Sequence, residues 1–157
     1  MIPGRPTRRD PKSGDLFAIT MNGLGLLTGR VVGVHLEGCH APMPDCHLVY
    51  IYDSVTDEPI CDPEDERLMP SRLAIGPAFV NRLLWSKGFF RTVTEAELKR
   101  HYLLRTPVFR LMQELVDDCG NAYDGPVDGP VGTWGLMSYS YLDDRLSERF
   151  NLPLAPS

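Results

Sequence analysis

Residues 14–34, G-D-L-F-A-I-T-M-N-G-L-G-L-L-T-G-R-V-V-G-V, constrain the fold of this chain more than any other stretch. Two apolar runs, residues 16–20 and 26–34, flank Met21-Asn22-Gly23-Leu24-Gly25. Side chains alternate along a strand, so Leu16 and Ala18 face one way and Phe17 and Ile19 the other. Gly23 and Gly25 open backbone conformations that a Cβ resists, and the chain can turn back there. The stretch predicts a β-hairpin, with Gly29 and Gly33 marking a bulge or strong bend in its second strand. Gly23-Leu24-Gly25 lacks the context of a dinucleotide fingerprint. That motif needs a third glycine at fixed spacing and a helix directly after it, and residues 26–32 read as strand.

A hairpin of this kind needs a sheet and a core around it. The 157 residues suit a single domain that buries about 70% of its extended-chain surface. Hydrophobic residues make up 43% and charged residues 24%, the balance of an ordinary soluble globular protein. A net charge of -5 speaks against general binding to nucleic acid or to an anionic membrane. Residues 1–13 are basic and Pro-rich, with Pro3, Pro6 and Pro11 among Arg5, Arg8, Arg9 and Lys12. They predict a loose, solubilising arm before a domain spanning 14–152 and a tail at 153–157. The arm has no apolar signal-peptide core, no run reaches the length of a membrane span, and the expected location is the cytoplasm. Four cysteines in a chain of this size do not form the pattern of a disulfide framework.

Beyond the hairpin, residues 37–45 read as a loop and His47-Leu48-Val49-Tyr50-Ile51-Tyr52 as the clearest strand in the chain. Residues 53–67 are acidic and interrupted by prolines. Residues 73–80 are apolar, but Pro77 restricts them to a sheet edge or bend. Lys87-Gly88 reads as a turn and residues 89–93 as a short strand. Thr94-Glu95-Ala96-Glu97 has the form of a capping box, which predicts a helix to about residue 102, ending before Pro107. Residues 108–116 fit strand or helix, and the spacing of Phe109, Met112 and Val116 favours helix. Residues 120–132 form a Gly/Pro-rich loop, residues 134–141 read as strand, and residues 142–150 as a terminal helix. The fold class expected is α+β: a strongly bent antiparallel sheet or small β-barrel, with two or three helices toward the C-terminal half.

Few residues carry recognisable chemistry. Cys39-His40, Cys46-His47 and His35 are zinc-ligand types, but Cys-x6-Cys is wider than structural sites use and no second pair follows. No metal and no cofactor are expected. Cys61 or Cys119 could pair with a histidine as a nucleophile, yet neither sits in a motif, and a buried free thiol is the commoner state. Asp117-Asp118 and Asp143-Asp144 are adjacent carboxylates, whose side chains diverge rather than converge as an acid/base pair. No catalytic set results, and the expectation is a protein that is not an enzyme. The acidic segment is either a solvated loop or a negative surface that steers a basic partner. Its candidate partner-binding residues are Asp57, Glu58, Asp62, Glu64, Asp65 and Glu66. Tyr139 and Tyr141 are candidate anchors, while Trp134 suits core packing better.

The G-D-L-F-A-I opening, the glycine turn, L-L-T-G-R-V-V, the L-V-Y-I-Y-D strand, L-A-I-G-P-A-F-V-N-R-L-L-W and the late Y-L-D-D-R-L together resemble the immunity protein 26 family of bacterial polymorphic toxin systems. Gly14-Asp15-Leu16-Phe17 and Gly23-Leu24-Gly25 through Gly29-Arg30-Val31 match that family's opening; the loops around Cys39 and Asp57 depart from it. The resemblance implies an α+β protein that binds and neutralises a cognate toxin domain without catalysis, possible targets including a basic, nuclease-like one. The opening also resembles small-barrel ribonuclease toxins, and a generic binding barrel is a third reading. Both of these need a cationic groove that a chain of net charge -5 does not advertise.

Overall fold

The computed structural model describes residues 1–156. Its centre is the expected hairpin: β1 (Leu16–Met21) pairs antiparallel with β2 (Gly25–Leu36), Leu16 opposite Arg30 and Met21 opposite Gly25. Gly23 and Gly25 take φ values of 77° and 135°, so the turn uses the freedom that only glycine has at no cost. β3 (Cys46–Ile51), β4 (Ala78–Val80), a single helical turn α1 (Leu83–Ser86) and β5 (Arg91–Thr94) follow. The five strands form one antiparallel sheet in the order β4-β3-β2-β1-β5. β6 (Phe109–Leu111), β7 (Glu114–Val116) and β8 (Gly132–Thr133) form a second sheet, with β6 and β8 parallel, and α2 (Tyr139–Arg149) ends the fold.

The sheet is buried on both faces, which is why its strands read as nearly continuous apolar runs. Phe17, Ile19, Val49 and Ile51 face one side, against Trp85, Phe90, Leu142 and Leu146. There Phe17 stacks on Phe90, ring centroids 4.3 Å apart, with Trp85 edge-on at 5.7 Å. Leu16, Tyr50 and Tyr52 face the other side, against Ile60, Leu68 and Leu73. A third cluster, Phe79, Phe109, Val116, Ala41 and Cys46, joins the two sheets, and Trp134 packs edge-on to Phe79 and Phe109 there.

Several sequence expectations are corrected. The sheet does not close into a barrel: β4 and β5 are its edges. Gly33 does mark an irregularity, since the β2–β3 register shifts on both sides of it. Gly29 does not; it pairs in register with Phe17 and Ile51. Its role is close approach, because a Cβ there would strike the Phe17 ring and come 2.7 Å from the Tyr50 carbonyl oxygen.

The helix expected over residues 94–102 does not form. Thr94 ends β5, and the chain runs extended to a short 3-10 turn at Arg100–Tyr102. The capping residues have other partners. Thr94 pairs with Leu16, and its hydroxyl donates to the Cys61 carbonyl at 3.1 Å. The backbone at residues 96–98 lies against Gly14, where a Cβ would sit 2.7 Å from the Leu98 nitrogen. Residues 108–116 form the β6–β7 hairpin instead of a helix. Phe109 and Val116, seven apart and so on one helical face, are also directly opposite in this pairing. Within residues 134–141 the Trp134 N–H donates to the Arg110 carbonyl at 2.9 Å and Leu136 bridges Phe79 before α2 begins at Tyr139. The helix expected at 142–150 is thus the one substantial helix among the described residues, capped by Ser138, whose hydroxyl accepts from the Tyr141 N–H at 3.2 Å.

The stretch at residues 1–13, whose composition suggests a loose arm, makes defined contacts here. Ile2 bridges Thr20, the Gly4 N–H donates to the Gly88 carbonyl at 2.8 Å, and the Thr7 N–H to the Trp85 carbonyl at 3.1 Å. Arg9 pairs with Glu95, and the terminal amino group with Asp143.

Candidate functional site

Residues 53–73 form a strap across the Leu16/Tyr50/Tyr52 face of the sheet. Hydrophobic burial of Ile60, Leu68 and Leu73 seats it there. At its start Leu26 and Thr56 exchange backbone hydrogen bonds of 2.9 and 3.0 Å. Arg72, at its far end, returns to Asp53 at 3.2 Å and closes the base of the loop. Between these ends the strap reaches the β5 side of the sheet, where the Thr94 hydroxyl holds the Cys61 carbonyl.

Two anchors fix the middle of the strap. The first is Arg30, which strand alternation directs to the same face as its cross-strand neighbours Leu16 and Tyr50. It is fully buried, donates to the Pro63 carbonyl at 2.7 Å, and lies 3.4 Å from the centroid of the Tyr102 ring. Removing a guanidinium from water costs several kcal/mol. The carbonyl and the ring face offset part of that. Burial also pushes the Tyr52 phenol well above its usual range, with the Arg30 charge opposing. The second anchor is Glu64, which accepts from Lys99 at 2.8 Å, the Tyr102 hydroxyl at 2.6 Å and His101 at 3.0 Å. Those hydrogen bonds, Lys99 foremost, hold its carboxyl down at about 2.

The acidic strap is therefore less uniformly negative than its sequence. Asp65 accepts from the backbone and guanidinium of Arg67 and is held at about 2. Asp53 pairs with Arg72, and Glu64 with Lys99 and His101. Asp57, Glu58, Asp62 and Glu66 are exposed and enter no ion pair among the described residues. The structure thus sorts the six acidic candidates into two that fasten the loop and four that face solvent.

Tyr139 and Tyr141 are not part of this surface. They lie on the first turn of α2, across the sheet from the strap. Tyr139, 51% exposed, stacks on Phe89 at 5.3 Å and joins Leu83, Leu84, Lys87 and Leu136 around a cleft of about 300 Å³.

Several of the remaining candidates have structural partners. Asp117 accepts from the N–H groups of Cys119 and Asn121, which lowers its pKa, and Asp143 meets the terminal amino group. Cys46 and His47 are buried; the His47 ring accepts from the His35 N–H at 3.1 Å and lies edge-on to Trp85. Burial pushes the His47 pKa down. The His35 ring pairs with Asp45, which raises its pKa.

The acidic composition of the strap does not mark Arg30, Lys99, His101 and Tyr102 as part of the site. Arg30 carried a signal: a lone charge within L-L-T-G-R-V-V, on the face that Leu16 occupies. The other three gave none, since their role depends on a contact with Glu64 more than thirty residues away.

The immunity protein 26 family model matches residues 12–115. This chain belongs to the immunity protein 26 family. No curated protein and no solved structure matches it. The family match takes in the hairpin, the whole strap and both of its anchors, and stops short of α2 with Tyr139 and Tyr141. Family membership supports an immunity-protein role, and immunity proteins are generally not enzymes. Among the described residues no helix is long and apolar enough to cross a membrane.

Proposed function

We propose that the protein binds a cognate bacterial toxin domain through the strap and neutralises it, without catalysis, by covering its active site. The observation that carries this reading is the fixed placement of Asp57, Glu58, Asp62 and Glu66 on a loop fastened by Arg30 and Glu64. Carboxylates on a preorganised loop lose little entropy on docking and raise the encounter rate with a positive surface. A basic, nuclease-like toxin fits that surface, and the setting is the cytoplasm of the producing cell. Rim charges set rate and specificity; tight affinity needs an apolar contact as well. Val55, 41% exposed beside the β1–β2 turn, supplies one on the same side of the loop's start.

A second reading rests on the cleft at Tyr139. Leu83 is 54% exposed there, and with Tyr139 it offers an apolar, aromatic anchor for a partner, while Tyr141, 43% exposed two residues along α2, lies outside the cleft. The barrel-toxin reading loses its structural premise with the open sheet.

The test pairs the protein with the toxin encoded beside it. Association is followed for wild type, for D57N/E58Q/D62N/E66Q, and for L83A/Y139A/Y141A, at low and high salt. The strap reading expects the acidic quadruple variant to associate about tenfold more slowly at low salt and to lose most of its salt dependence. Unchanged rates and unchanged protection from the toxin would remove the strap from the interface. Loss of protection in the L83A/Y139A/Y141A variant alone would transfer the interface to the cleft.

A further inference from the structure

The loop between β2 and β3 meets the turn after β7 beside the cluster that joins the two sheets. Cys39 and His40 come from the 3-10 turn Gly38–His40, and Cys119 from the turn that Asp117 organises. The Cys39 and Cys119 sulfurs lie 3.2 Å apart, and the Cys119 sulfur lies 3.7 Å from His40 Nδ1. All three ligand atoms lie within 4.8 Å of one another, and the thiols are free. Gly38 and Gly120, at φ values of 62° and 74°, turn the chain sharply beside each cysteine.

We propose that Cys39, His40 and Cys119 bind one zinc ion, with the fourth position open to water. Zinc takes thiolate sulfur at about 2.3 Å and imidazole nitrogen at about 2.0–2.1 Å in tetrahedral geometry. Neighbouring ligand atoms around such an ion stand roughly 3.5–3.8 Å apart. The Cys119–His40 spacing already meets that figure. The sulfur pair must open by about half an ångström and the Cys39 sulfur, within 4.8 Å of the His40 nitrogen, must settle at a similar spacing from it, both adjustments falling on the exposed Cys39 side chain. Binding displaces one proton from each thiol, so a zinc ion enters and two protons leave. Two soft thiolates and an imidazole select zinc over magnesium or calcium.

Spacing along the sequence hid this set. Cys46 and His47, the near neighbours of Cys39, turn into the core, and the third ligand comes from far downstream. Cys119 also lies beyond the residues that the family model matches. A bound ion would tie the β2–β3 loop of the large sheet to the edge of the small sheet, and its contribution is to hold the two together. This role is independent of the toxin-binding reading.

The test uses the full chain, purified without a metal-affinity step, stripped with chelator and kept reduced by a phosphine. Cobalt(II) is titrated in as a spectroscopic probe and then displaced with zinc. The expected result is a thiolate-to-cobalt charge-transfer band with tetrahedral d–d absorption, saturating at one equivalent and erased by zinc. Zinc raises the Tm, and chelator reverses the rise. Cys39→Ser, His40→Ala and Cys119→Ser should each weaken cobalt binding at least about tenfold, the scale seen even for outer-shell changes. Cys61→Ser should leave it unchanged. No band in the reduced wild type overturns the proposal without recourse to any variant. So does a band that survives Cys119→Ser, or a Cys39–Cys119 disulfide whose reduced form takes up no cobalt.

Discussion

Gly29 is a residue whose missing side chain decides how the core is built. The Phe17 ring occupies the space above it and stacks on Phe90 from there. Gly29→Ala is expected to lower stability by roughly 1–3 kcal/mol, the cost of overpacking a filled core. Thermal unfolding measures it, and an unchanged Tm would show that Phe17 can move aside freely. Titratable residues give a second test, with opposite origins in two pH windows. The Glu64 carboxyl is depressed from its ordinary 4.5 to about 2. Its stabilisation is present above the unfolded value and is lost as pH falls through that interval. Glu64 is well exposed, so solvent screens the effect. The His47 ring has its pKa lowered by burial, so the unfolded chain takes up the proton first. The His47 contribution to stability therefore falls as pH drops below the ordinary histidine value of about 6.5, while His35, whose pKa Asp45 raises, contributes in the opposite sense. Denaturant midpoints measured across pH should fall less steeply in the lower window for Glu64→Gln, where Asp65 still contributes, and less steeply in the upper window for His47→Gln. A single decline that neither variant alters would refute this assignment.

Elements differed in how far the sequence announced them. The β1–β2 hairpin was legible because its turn glycines and its apolar alternation are local, and both agree with the final sheet. The α2 helix was legible for the same reason. The stretch after β5 was not, because the local signal of a capping box competes with two distant partners: Cys61 across the sheet and the backbone of Gly14. The β6–β7 hairpin misled differently, since a seven-residue separation of apolar side chains satisfies both a helix face and an antiparallel pair. The stretch after β5 can be probed by a discriminating pair of substitutions. If Thr94 were a helix cap, Glu97 would share its work as the other half of the box. In the observed fold Thr94 donates to Cys61 while Glu97 is exposed. Thr94→Val is expected to lower stability by about 1 kcal/mol through the lost hydrogen bond. Glu97→Ala is expected to stay within about 0.5 kcal/mol of wild type. Equal losses from both changes, read from chemical denaturation, would restore the capping box.

At the scale of the whole molecule, the strap and the small sheet are attached to different parts of the large sheet. The strap's acidic character was visible in the sequence, but its fastening was not, because Arg30 and Lys99 reach it only after the sheet has formed. The attachment of the small sheet was equally hidden, and it depends on two glycines. A Cβ at Gly76 would drive into the backbone of Val131 and Gly132, and one at Gly132 would come 2.7 Å from the Phe109 ring. Backbone meets backbone there, so the junction has no flexible side chain that can yield. Gly76→Ala should force the β6–β8 sheet away from β4 and weaken the Phe79–Phe109–Trp134 cluster. The large hairpin has its own cores on both faces and should remain folded. Hydrogen exchange of the variant is therefore expected to accelerate at residues 109–116 while β1 to β3 keep their protection. The strap rests on the large sheet, so association with the toxin should retain its wild-type rate and salt dependence. Uniform acceleration across both sheets would mean that they open as one cooperative unit. Intact exchange at the small sheet but slower toxin association would instead place the partner at the junction, away from the strap.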